Sequence, residues 1–90
     1  MNAETMSLDF INLTLVGLRA CERLTTLGCR VRELRIKRLS QHHPVVWIDP
    51  PPPGANLVGV AMRSSPRETI QAARLGDAQV QWRLAPEVRV

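Results

Sequence analysis

The sequence predicts an α+β fold: an N-terminal helix packed on a four- or five-stranded antiparallel β-meander. Three observations predict it. Apolar residues recur at helical spacing from Phe10 to Leu27 and stop at Gly28. Beyond residue 30 the apolar period shortens to two. The last patterned segment alternates Val80, Trp82 and Leu84 with Gln79, Gln81 and Arg83, which is a strand with one buried face. The alternative is a ferredoxin-like βαββαβ arrangement, which requires residues 66–75 to be helical.

The helix comes first in the chain. Residues 1–6 read as a loose polar leader, and Ser7 and Asp9 both suit a helix N-cap. Phe10, Leu13, Val16, Gly17, Ala20, Cys21, Leu24 and Leu27 share one face, with Asn12, Arg19, Arg23 and Thr26 opposite. The β-branched content of residues 8–16 also suits a strand. The helix is preferred because its face continues unbroken to Leu27. Gly28 then supplies the left-handed residue that ends many helices. Ile11, Leu15 and Leu18 form a second apolar stripe. It is either part of a wide core-facing side or an interface for a dimer or protein partner.

The strands follow. Leu34 and Ile36 alternate with Glu33, Arg35 and Lys37, so residues 30–39 form a half-buried strand. Val31 is out of phase with Leu34, which a bulge or a strand start near Glu33 would absorb. Residues 40–43 make a polar turn. Val45-Val46-Trp47-Ile48 is a compact apolar strand, stopped by Asp49 and Pro50–Pro53. The proline run reads as a stiff connector. Leu57–Met62 is the next strand. Ser65-Pro66-Arg67-Glu68 fits a helical capping box. The flanking Thr69–Leu75 and Ala78–Leu84 also fit a hairpin turning at Gly76-Asp77. Residues 85–90 read as a frayed tail. The core expected from these patterns is Leu13, Val16, Ala20, Leu24, Leu27, Leu34, Ile36, Val46, Ile48, Val58, Val60, Val80, Trp82 and Leu84.

Ninety residues make one small domain, 1–90, with flexible ends near 1–6 and 85–90. A chain this short buries only about 60–65% of its unfolded surface, so oligomerisation would aid it. The two cysteines, Cys21 and Cys29, read as reduced thiols. The acidic start at Glu4 and Asp9 does not resemble a signal peptide, and the Phe10–Leu18 apolar run is too short for a membrane span. The expectation is a soluble cytoplasmic protein without membrane contact.

The segment Leu24 to Gly28, then Val31 and Leu34-Arg35-Ile36, then Pro44-Val45-Val46-Trp47-Ile48, then Gly76-Asp77-Ala78-Gln79-Val80-Gln81-Trp82-Arg83, resembles a loose group of short uncharacterised prophage-type proteins over residues 20–84. Members of that group often carry a cysteine after the glycine and an acid before the tryptophan. Here Asp77-Ala78 and Gln81 stand at those places. The resemblance implies a helix followed by a β-meander, which favours the hairpin over residues 69–84. It implies a mobile-element accessory role and supplies no catalytic residue.

No catalytic pattern is legible, and we expect no enzyme, cofactor or small-molecule substrate. His42 and His43 are adjacent and point apart on an extended chain; Cys21 and Cys29 lack metal-ligand spacing. Glu33, Asp49, Glu68 and Asp77 each suit a turn or an exposed strand position. What remains is charge. Arg19, Arg23, Arg30, Arg32, Arg35, Lys37 and Arg38 are seven of the twelve basic residues, opposed there only by Glu22 and Glu33. Two surfaces therefore stand as candidates. Ile11, Leu15 and Leu18 would dock a protein partner or a second copy. Arg30, Arg32, Arg35, Lys37 and Arg38 would contact nucleic-acid phosphates. Trp47 and Trp82 are expected in the core, and the near absence of other aromatics weakens a stacking site.

Overall fold

The computed structural model describes residues 3–36 and 43–84, with side chains from Asp9 onward. Helix α1 (Ala3–Thr26) is followed by strands β1 (Val31–Arg35), β2 (Val45–Ile48), β3 (Val60–Ser64), β4 (Thr69–Leu75) and β5 (Ala78–Leu84). The strands form one sheet in the order β1-β2-β5-β4-β3. The expected α+β architecture is present, and residues 66–75 are not helical as the ferredoxin-like alternative required. The meander is corrected, because β3 crosses to the far edge of the sheet instead of pairing with β2. β2 and β5 run parallel, with Val46 opposite Val80, so the sheet is mixed.

α1 starts at Ala3, earlier than the leader predicted for residues 1–6. Ala, Glu and Met are strong helix formers, and no proline or glycine lies among residues 3–6. Its end follows the prediction. Gly28 takes φ 87°. The amide of Cys29 donates to the Leu24 carbonyl at 2.8 Å and that of Gly28 to Thr25 at 3.0 Å. These two bonds make a Schellman cap, and Leu24 and Cys29 meet in the core beneath it.

The core lies between α1 and one face of the sheet. Leu24, Val46 and Val80 are completely buried, with Ala20, Cys29, Ile48, Ala55, Ala78 and Trp82 around them. α1 rests on β1, β2 and β5. The rest of that face is covered by the connector after β2. Pro52 is extended (φ −68°, ψ 157°), Pro53–Ala55 make one 3-10 turn, and Asn56 reverses the chain in the left-handed region at φ 56°. Ala55 is driven into the core and Leu57 packs against it. Gly59 then passes so close to Trp82 that a Cβ there would meet its Cζ2 at 2.5 Å. The proline-rich segment is thus a strap over the sheet, and this is why the strand predicted to begin at Leu57 begins at Val60.

The bulge predicted near Val31 is present, as a register shift between Val31 and Glu33 against β2. Gly76 has φ 59° while Asp77 does not take positive φ, as a Gly-first hairpin turn requires. Ser65 explains why residues 65–68 also resembled a helix start. Its hydroxyl accepts from the amides of Arg67 (3.3 Å) and Glu68 (3.2 Å), as an N-cap would. Its own amide, however, donates to the Glu68 carbonyl at 2.8 Å, which closes the β3–β4 turn.

Three expected core residues, Val58, Val60 and Leu27, are exposed, while Leu34 and Leu84 pack against the core as expected. Val58 and Val60 are 83% and 70% exposed, because the strap turns Leu57 inward and β3 is an edge strand. Leu27 is 36% exposed at the helix cap. Leu13, Val16, Leu34, Ile36 and Leu84 are half-buried.

Candidate functional site

Among the described residues, two surfaces are left uncovered by this packing. The first is on α1. Its buried positions among the described residues are Gly17, Ala20 and Leu24, all in the second half of the helix. Gly17 is where helix and sheet come closest, since a Cβ there would meet Leu34 Cδ1 at 2.6 Å. At 100° per residue, Ile11, Leu15 and Leu18 point about 120–180° away from Leu24. They are 51%, 48% and 49% exposed. The stripe therefore belongs to the solvent side of the helix, and the wide core-facing reading does not hold. A shallow groove lined by Leu18, Cys21, Glu22, Thr25 and Val31 continues the stripe toward β1. Burial pushes the Cys21 thiol up from its ordinary value.

The second surface is the face of the sheet turned away from α1. Strand register assigns it residue by residue. Glu33 is opposite Trp47, and Arg35 opposite Val45. Trp47 is opposite Gln81. On the far side Ile70 pairs with Arg83, Ala72 with Gln81, and Arg74 with Gln79. Val60 and Arg63 of β3 pair with Ala72 and Ile70. The strand positions of this face thus carry Arg35, Arg63, Arg74 and Arg83 against Glu33, with Glu68 at the β3–β4 turn as a second acid.

Trp47 sits in this face, half-buried, and not in the core as predicted. Alternation along β2 turns Val46 and Ile48 toward α1 and Trp47 away from it. The Arg83 guanidinium lies 4.4 Å from the Trp47 ring centroid and that of Arg35 lies 5.9 Å away, both within cation–π range. Arg83 also lies 3.6 Å from Glu68, and Arg35 donates to Glu33 at 2.9 Å. In the middle of the face the side-chain amides of Gln79 and Gln81 donate to the Met62 sulfur at 3.6 and 3.5 Å. A thioether is a weak acceptor for two amides.

The predicted basic strand is only partly drawn together. Arg35 is on the open face. Arg32 lies at its margin, donating to Asp49 at 2.7 Å beside Trp47, Pro50 and Arg83. Hydrogen bonds to Asp49 and Glu33 push the guanidinium pKa values of Arg32 and Arg35 further up. Arg30 is exposed before β1. Lys37, Arg38 and His42 lie outside the described residues. His43 places Nδ1 3.1 Å from the Asp77 carbonyl, on a structural contact between the β2 and β5 starts. Among the described residues no three His, Cys, Asp or Glu side chains converge to hold a metal ion, and no helix is long and apolar enough to cross a membrane. Sequence reasoning missed Arg63, Arg74 and Arg83, which lie far from the basic cluster in sequence. Arg83 is in phase with Gln79 and Gln81 along β5 and Arg74 lies opposite Gln79 in the hairpin, which was the available signal for those two; Arg63 on β3 had none.

No family model, curated protein or solved structure matches this chain.

Proposed function

We propose that this chain is a non-enzymatic binding module of accessory type that docks through α1, and that the primary partner is a second copy of itself. The observation that carries this reading is the Ile11–Leu15–Leu18 stripe on the side of the helix away from its own sheet. The four-then-three spacing is that of a coiled-coil seam. It is also self-complementary. In an antiparallel pair about a two-fold axis near Leu15, Ile11 of one copy meets Leu18 of the other and Leu15 meets itself. Small size supports the same reading, because an interface supplies burial that so short a chain lacks. A mobile-element role rests on the sequence resemblance to prophage-type proteins.

Light scattering coupled to size exclusion tests this over a concentration series. A dimer that becomes monomeric in Leu15→Glu, with unchanged circular dichroism, is expected. A wild-type chain that stays monomeric throughout, or a dimer untouched by Leu15→Glu, refutes docking through the stripe.

A further inference from the structure

We infer that the open face of the sheet binds single-stranded nucleic acid, with a base stacking against the Trp47–Arg83 pair and phosphates held by Arg35, Arg63 and Arg74. This site is separate from the α1 stripe, and neither reading rests on the other.

Three observations converge on it. The first is charge segregation. Four arginines stand on the face's strands against Glu33 and, at the β3–β4 turn beside Arg83 and Arg63, Glu68. By contrast, Arg19 and Arg23 on α1 are balanced by Asp9 and Glu22 among the described side chains. A face with this surplus attracts a polyanion. The second is the aromatic. Trp47 is held among arginines and away from the apolar core, with Arg83 at 4.4 Å. Single strands expose base faces that stack on aromatic rings and guanidinium planes, whereas a duplex keeps its base faces covered. An acidic protein segment would use the arginines and leave the ring without a role.

The third observation is that the groups are free to exchange partners. The Arg35–Glu33 and Arg83–Glu68 pairs are about half exposed on both sides. Exposed pairs of this kind contribute little to folding, so phosphate can displace the carboxylates. The amide of Gln79, held only loosely by the Met62 sulfur, is a donor for a base edge or sugar oxygen, while Gln81 is buried beneath that sulfur. From Arg35 on β1 across β2, β5 and β4 to Arg63 on β3 is four strand spacings, about 19 Å. A short single strand crossing the sheet would reach all of these groups.

The test is fluorescence anisotropy of a labelled oligothymidylate of about twelve nucleotides, titrated with the full chain at about 50 and about 200 mM salt. Binding is expected, weakening at the higher salt. Arg63→Glu with Arg83→Glu should abolish it. Trp47→Leu keeps apolar bulk and should weaken it about five-fold or more through lost stacking. Circular dichroism confirms that each variant is folded, and a Leu15→Glu chain should bind as wild type. Absence of binding at low salt overturns the inference. So does equal binding of a matched duplex with Trp47→Leu harmless, which would mean phosphate contact alone. Competition by polyglutamate as effective as by unlabelled oligothymidylate also overturns it, in favour of an acidic protein partner.

Discussion

Gly59→Ala isolates the contact between strap and sheet. A Cβ at position 59 would lie 2.5 and 2.8 Å from Trp82 Cζ2 and Cη2, and 2.9 Å from Gln71 Oε1. Carbon atoms in good contact are about 3.5–4.0 Å apart, so the overlap is about 1 Å. The ring has nowhere to go. Trp82 is 2% exposed, and its Nε1 donates to Gln71 Oε1 at 3.1 Å. Overpacking of this kind costs about 1–3 kcal/mol. Gly59 does not have positive φ, so an alanine there recovers about 0.4–1 kcal/mol from the less flexible unfolded chain. The net loss is about 1–2 kcal/mol, or roughly 5–15 °C in Tm for a domain of this size. Thermal melts followed by far-UV circular dichroism measure it. Gly54→Ala is the control, since nothing lies within 4 Å of a Cβ there. Its Tm should hold or rise. Trp82→Phe removes the indole atoms that clash, so in that background Gly59→Ala should cost less than half as much. An unchanged Tm in Gly59→Ala, or the same loss in both backgrounds, would refute the steric account.

Two further outcomes follow from burial. Leu24→Ala should destabilise the chain by about 2–5 kcal/mol in urea unfolding, since Leu24 is fully enclosed. Val58→Ala, at a side chain 83% exposed, should fall within about 0.5 kcal/mol of wild type. The thiols supply a pH dependence. Burial pushes both Cys21 and Cys29 above the ordinary 9.0. Their contribution to stability is complete below the unfolded thiol range and is lost as pH rises through the folded values. Tm should therefore fall less steeply above about pH 9 in the Cys21→Ala, Cys29→Ala double variant than in wild type. Cys29, only 6% exposed, should also react with a disulfide reagent more slowly than Cys21.

Legibility followed the range of the interactions. The Gly28 cap, the bulge near Val31 and the Gly76-Asp77 turn were readable because each is set by backbone needs within a few residues. Residues 65–68 were ambiguous for an equally local reason. Ser65 makes the same hydroxyl bonds to amides at a helix start and in the turn it forms here. Pairing chose between them, since Thr69–Leu75 lines up along its whole length with Ala78–Leu84.

The candidate surfaces divide in the same way. The Ile11–Leu15–Leu18 spacing was visible as a pattern, but a pattern on a helix does not say which stripe meets a sheet. Packing of Gly17, Ala20 and Leu24 on β1, β2 and β5 settled that. In Val45-Val46-Trp47-Ile48 the apolar run was continuous, so sequence identified a strand without identifying its faces. The open face needed still more, because Arg35, Trp47, Arg63 and Arg83 come from four strands spread over nearly fifty positions.

By itself, then, the sequence determined where the helix ends, where most strands lie and that the chain is α+β, because dihedral preference and side-chain period act locally. Only the tertiary structure decided the parallel β2–β5 pair, the strap across Trp82 and the gathering of arginines around Trp47. Those depend on which distant segments bury one another, and local preference carries no record of that choice.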